Sequence, residues 1–169
     1  MPRHAHCTSN LQYVIATPYH KMSTYPAARV LVIDDHHGSA IGIATYLALA
    51  GMEARTAGGC GDALEAIHNW MPDVVLLDIR MPQRDGFSTA EAIWNCTPDK
   101  RPYLLAFTAA DRQFVMNNPA SRYLDGYCRK GTSPATLVSL VLDIVGHSAD
   151  PRLTTSEGSV EQQKILNHA

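Results

Sequence analysis

Five polar residues stand where runs of apolar residues stop: Asp34 and Asp35 after RVLVI, Asp78 after VVLL, Thr108 closing YLLAFT, and Lys130 just beyond GYCR. An unpaired carboxylate against a core costs on the order of several kcal/mol unless it is solvated, paired or metal-bound. Taken singly, an Asp at such a place is ordinarily a turn former or a cap. Three at the ends of neighbouring strands are different, because like charges about 4 Å apart repel by about 4 kcal/mol at an effective dielectric of about 20. A hard divalent cation with oxygen ligands, Mg²⁺ by preference, offsets that repulsion using one or two carboxylates and several waters. Lys130 adds a fixed positive charge suited to an anion. A cation, a hydroxyl and an ammonium around one carboxylate can stabilise a phosphoryl group in transfer. A carboxylate can accept that group as an acyl phosphate, which makes Asp78 the candidate nucleophile.

These residues need elements to bring them together. The runs at 29–34, 74–78 and 103–108 are continuous and apolar, as strands buried on both faces are; 53–57 reads as an edge strand and 126–129 as a short strand. Helical spacing covers 39–51, with Ser39 as cap and Gly51 as stop, and 61–71, ended by Pro72 with Ala63, Leu64, Ile67 and Met71 on one stripe. Helices are also expected at 87–95 and at 133–146, where Pro134 sits in the first turn. Between Thr108 and Gly126 the helix must be short or bent, because Asn117, Asn118 and Pro119 interrupt it. Alternating strands and helices predict an α/β fold, an open parallel sheet with helices on both faces. In such a sheet the site lies beyond the carboxyl ends of the strands, where all five residues fall.

With 169 residues, 46% hydrophobic and 18% charged, the composition suits one compact domain with tails. A formal charge of -2 leaves no basic footprint for nucleic acid or an anionic membrane. Cys7, Cys60, Cys96 and Cys128 lack CxxC spacing, so neither a zinc site nor a disulfide framework is indicated, and a reducing cytoplasm fits. No signal peptide and no run of transmembrane length is read. Residues 1–28, with Pro2, Pro18 and Pro26, read as a poorly ordered extension, in which Met22 is a second candidate start. Residues 29–146 form the domain, and 147–169 a polar tail.

From about Arg29 to Gly146 the chain resembles the receiver domain of bacterial two-component response regulators. Asp34 and Asp35, LLDIRMPQRDG, Thr108 with Ala109, and Tyr127 followed by Lys130 carry the resemblance. It implies a flavodoxin-like, doubly wound sheet of five strands in the order 2-1-3-4-5. It further implies that Asp78 takes a phosphoryl group from a histidine kinase or phosphotransfer protein. Asp35 and Asp78 would bind Mg²⁺ directly, Asp34 would assist through water, and the backbone carbonyl of Arg80 would be the third protein ligand. Thr108 and Lys130 would hold phosphoryl oxygens, and Tyr127 would rotate inward as the Thr108 hydroxyl moves. Gly86 suits a turn other residues resist, and Ala109 leaves room beside the phosphoryl group. The chain would act as a stand-alone switch, since the 23 residues from 147 to 169 leave no space for an output module. It would be no enzyme beyond its own phosphorylation and dephosphorylation. It would pass its state to a protein target as a monomer or weak dimer, without binding nucleic acid or inserting into a membrane.

Some residues depart from that family's pattern. Gly131 replaces the proline that usually follows the lysine, so a less fixed loop and slower or weaker switching are expected. Arg80 brings a cation to the site mouth, either solvated or screening the acyl phosphate. Ala110 stands where receivers often carry a polar side chain, and the broken fourth helix alters the usual dimer face. His36 and His37 are a weak metal pair, and the HAHC stretch, His4, His6 and Cys7, is read as incidental. Trp70 and Trp94 read as packing. Two rival readings are a phosphorylation-independent scaffold of the same fold and a hydrolase with Asp34 as nucleophile. The latter wants an Asp at position 36, where this chain has His36.

Overall fold

The computed structural model describes residues 5–6, 27–81, 85–97 and 100–148. Five strands, β1 (Arg29–Ile33), β2 (Glu53–Ala57), β3 (Val74–Leu77), β4 (Tyr103–Thr108) and β5 (Gly126–Arg129), pair in parallel in the order β2-β1-β3-β4-β5. Outside β5, Ala5–His6 add a short parallel pairing to Gly126 and Tyr127. Of the remainder of the expected N-terminal extension, Ala27 and the buried Ala28 lead directly into β1, while the other residues, and the expected tail beyond Ser148, lie outside the described residues.

Successive strand residues point to opposite faces, and this alternation divides the core in two. Leu31, Ile33, Val75, Leu77, Leu104 and Ala106 pack under α2 (Cys60–Trp70), α3 (Gly86–Cys96) and the short α4 (Arg112–Met116). Val30, Val32, Val74, Leu76, Leu105 and Phe107 pack under α1 (His37–Leu49) and α5 (Pro134–Ser148). Nearly complete burial on both faces is why β1, β3 and β4 are unbroken apolar runs.

Three local expectations are corrected. The cap of α1 is His36, whose Nδ1 accepts from the Ser39 N–H at 3.1 Å; the helix has already begun two residues before Ser39. In α2 the buried stripe is Ala63, Ile67 and Trp70, while Met71 turns outward as a left-handed cap with φ 53° ahead of Pro72. The strands at 29–34 and 74–78 stop one residue early, at Ile33 and Leu77, which leaves Asp34 and Asp78 in the loops beyond them. The interrupted fourth helix appears as expected: five residues of α4, then a 3-10 turn at Pro119–Tyr123 capped by Asn118. Among the described residues no helix is long and apolar enough to cross a membrane.

Candidate functional site

Register places the site. Ile33 stands opposite Leu77, and the Asp78 N–H donates to the Ile33 carbonyl at 2.9 Å, so the residues after β1 and β3 lie side by side. Thr108 stands opposite Arg129, and the Lys130 N–H donates to the Thr108 carbonyl at 2.9 Å, bringing the lysine to the same edge. Asp34 is 3% exposed and Asp78 7%. The Lys130 Nζ donates to both, 2.8 Å from Asp34 Oδ2 and 2.5 Å from Asp78 Oδ2. Asp35 is exposed, yet carboxylate oxygens of Asp34, Asp35 and Asp78 all lie within 4.8 Å of one another. This is the one group of three or more such ligands among the described residues.

The other oxygen of each buried carboxylate accepts from backbone: Asp34 Oδ1 from the His36 N–H at 2.9 Å, and Asp78 Oδ1 from the Arg80 N–H at 3.0 Å. Burial alone would push the Asp34 carboxyl up. The Lys130 hydrogen bond, the His36 N–H and the Ser39 side chain outweigh it and hold the group below its ordinary value. Burial would likewise push the Lys130 ammonium down, but hydrogen bonds to Asp34 and Asp78 and the charges of both carboxylates raise it. Three carboxylates against one ammonium remain an excess of negative charge. Clustered hard oxygen donors of this kind suit a small divalent cation such as Mg²⁺.

Thr108 is fully buried, and its Oγ1 accepts from the Ala110 N–H at 3.3 Å. Tyr127 already lies inward, its hydroxyl donating to the Ala110 carbonyl at 2.7 Å. One residue, Ala110, thus touches the other two through its two backbone groups. Gly86 serves a purpose other than the expected turn. A Cβ there would lie 2.3 Å from the Asp78 carbonyl oxygen and 2.6 Å from Ile79 Cα, so α3 begins hard against the backbone that carries Asp78. Gly131 lies in a turn: its φ is +98°, and the Thr132 N–H donates to the Arg129 carbonyl at 3.1 Å.

The Arg80 guanidinium lies over the ring of Phe114, 5.0 Å from its centroid. Phe114 escaped the sequence reading, although its place three residues after the capping Asp111 was visible there. Asp125 also escaped it. Buried at the amino end of β5, it takes both guanidinium nitrogens of Arg101 at 2.6 and 2.8 Å and the Leu104 N–H at 2.9 Å. Arg101 also stacks on the half-exposed Trp94, and Arg55 on the buried Trp70, which agrees with the packing expected of both indoles. His36 and His37 are exposed. Of the HAHC stretch, His4 and Cys7 lie outside the described residues.

A five-stranded parallel sheet in this order, with this cluster beyond its carboxyl edge, is a CheY-like fold. The model of the response regulator receiver domain matches residues 30–142, and the chain belongs to that family. Receiver domains are phospho-accepting signalling modules of two-component systems rather than metabolic enzymes. They interact with histidine kinases and downstream targets, and bind Mg²⁺ at an acidic pocket. The response regulator protein VraR of Staphylococcus saprophyticus is 29% identical over 119 residues, 67% of this chain and 54% of that protein. The probable transcriptional regulatory protein NarL of Mycobacterium tuberculosis is 33% identical over 118 residues, 68% of this chain and 53% of that protein. The chain thus spans about half the length of the curated relatives it matches. Among solved structures, the response regulator TrrA of Thermotoga maritima, in complex with Mg²⁺ and BeF, superposes with a TM-score of 0.61 at 26% identity. That match covers 69% of this chain and 98% of TrrA. The chemotaxis protein CheY4 of Vibrio cholerae shares the fold with a TM-score of 0.65 at 24% identity, over 70% of this chain and 99% of that one.

Proposed function

We propose that residues 29–146 form a Mg²⁺-dependent phosphoacceptor switch in which Asp78 takes a phosphoryl group from a histidine kinase or phosphotransfer protein. The observation that carries this reading is the Lys130 ammonium bridging two buried carboxylates, Asp34 and Asp78, with Asp35 within reach. A carboxylate oxygen of Asp78 attacks the phosphorus of a phosphohistidine. The new P–O bond forms as the P–N bond breaks, and its electron pair returns to the imidazole. Lys130 moves from the carboxylates to one phosphoryl oxygen, and the Thr108 hydroxyl donates to another. Bound by Asp35, Asp78 and the Arg80 carbonyl, with Asp34 acting through water, Mg²⁺ would supply charge neutralisation at the transferring oxygens.

When the Thr108 hydroxyl turns to the phosphoryl group it releases the Ala110 N–H, and the carbonyl of that same residue holds Tyr127. The switch therefore acts on the loop between β4 and α4 and reaches the surface of α4, β5 and α5. A cytoplasmic setting and a protein target follow from the reading, with no nucleic acid contact, in keeping with the charge of -2. The five-residue α4 shortens the usual pairing surface, so a monomer or weak dimer is expected. The reading concerns residues 29–146 and holds equally for a stand-alone receiver and for part of a longer regulator.

The test is incubation with acetyl phosphate and Mg²⁺ followed by intact-mass measurement. Wild type should gain one phosphoryl group and Asp78→Asn none. No gain in wild type, or a gain that survives in Asp78→Asn, overturns the reading.

A further inference from the structure

Phe114 is 47% exposed on the short α4, so burial does little to explain a large aromatic there. Its ring carries the Arg80 guanidinium instead. Among the described residues Arg80 makes no ion pair, so this contact is what positions its charge. Both backbones are pinned. The Arg80 N–H donates to Asp78 Oδ1 at 3.0 Å, and the Phe114 N–H donates to Asp111, the cap of α4, at 2.8 Å. Asp111 directly follows Ala110, which touches Thr108 and Tyr127. The contact therefore joins the residue two beyond Asp78 to the helix that follows Thr108, and only a side-chain stacking holds it.

From this geometry we infer that Arg80 and Phe114 form a latch that reports the state of Asp78 to α4, a step that rests on the phosphoacceptor reading above. With Asp78 unmodified, the guanidinium rests on the ring. A phosphoryl group adds charge and three acceptor oxygens two residues from Arg80. A charge-assisted hydrogen bond to such an oxygen outweighs an exposed cation–π contact. Arg80 swings from the ring to the phosphoryl group, and Phe114 is uncovered beside the exposed Met116 for a partner to recognise. This route runs from site to surface without Thr108 or Tyr127. It also makes Phe114 a competitor for Arg80, a positioning residue that weakens phosphoryl binding until it is released.

The competition is measurable with beryllofluoride and Mg²⁺, a non-covalent stand-in for the phosphoryl group, titrated into wild type, Phe114→Leu, Arg80→Ala and the double variant. Leucine keeps an apolar side chain but removes the π face, so Phe114→Leu should tighten beryllofluoride binding about two- to fivefold. Arg80→Ala should weaken it. In the Arg80→Ala background the Phe114 substitution should change nothing, a coupling that a merely structural role would not produce. Both side chains are exposed, and equal thermal midpoints would confirm intact folds. Unchanged affinity in Phe114→Leu, or the same gain with Arg80 absent, overturns the latch and leaves the phosphoacceptor reading standing. A wild type that binds no beryllofluoride overturns that reading and the latch with it.

Discussion

Asp78 owes its position to a residue with no side chain. The first residue of α3, Gly86, donates its N–H to the Ile79 carbonyl at 3.1 Å and lies so close that any Cβ would strike the Asp78 and Ile79 backbone. Those neighbours are main chain, which cannot rotate aside, so an added methyl must push α3 away from β3 or displace the carboxylate. Overpacking of this kind costs about 1–3 kcal/mol. Gly86→Ala should therefore lower the unfolding free energy by that amount and unfold at a lower urea concentration. Its phosphorylation yield should fall further than that of an equally destabilised variant remote from the site, such as Leu64→Ala on α2. Urea unfolding combined with intact-mass measurement checks both. A Gly86→Ala protein phosphorylated as well as its control would mean that the close approach matters to packing and not to Asp78.

The strands were legible because burial on both faces leaves no choice of residue: β1, β3 and β4 read as apolar runs, and Asp34, Asp78 and Thr108 could be placed by where those runs stop, Lys130 by the end of the short β5. Helix faces and ends were less so. In α1 apolar residues occupy more than one side, and Ile41, Tyr46 and Leu49 are exposed, so spacing alone could not say which face is inward. The cap fell to His36 because an imidazole nitrogen can accept from an N–H as Ser does, a role composition rules give to other residues. The place of Phe114 after the capping Asp111 was visible, but its contact was not, since its partner Arg80 lies on another element. Gly131 was read as a missing proline, and the structure makes it a required glycine. Its φ of +98° lies in the region that favours glycine, whereas proline is held near about -65°. Gly131→Pro should therefore cost more than about 1 kcal/mol and lower the phosphorylation yield. Gly131→Ala should itself cost about 1–2 kcal/mol, and the proline variant more than the alanine one. Thermal unfolding of the three proteins decides the matter, and a proline variant as stable as wild type would mean that the turn from Arg129 to Thr132 does not require glycine.

At the scale of the molecule, two apolar cores clamp the sheet from both faces, and the charged cluster sits at its edge, where only the fold brings the carboxylates together. Asp34 and Asp78 come from strands separated in sequence by α1, β2 and α2, so an unfolded chain offers no comparable cluster. A cation held by that cluster binds the folded state alone, and it must stabilise the whole domain by mass action. At a hundredfold its Kd the gain is about 2.7 kcal/mol, which for a domain of this size raises Tm by roughly 10 °C. Mg²⁺ should therefore raise the Tm of wild type by that order. NaCl at equal ionic strength should do little, because screening between such close, partly buried charges is weak. Asp35 is exposed and offers no packing, so Asp35→Asn should fold normally and lose most of the Mg²⁺ response. Its Tm without Mg²⁺ should match or exceed that of wild type, since one of three mutually repelling charges is gone. Calorimetry of both proteins with and without Mg²⁺ separates the outcomes. A shift of equal size in wild type and Asp35→Asn would place the cation elsewhere on the molecule.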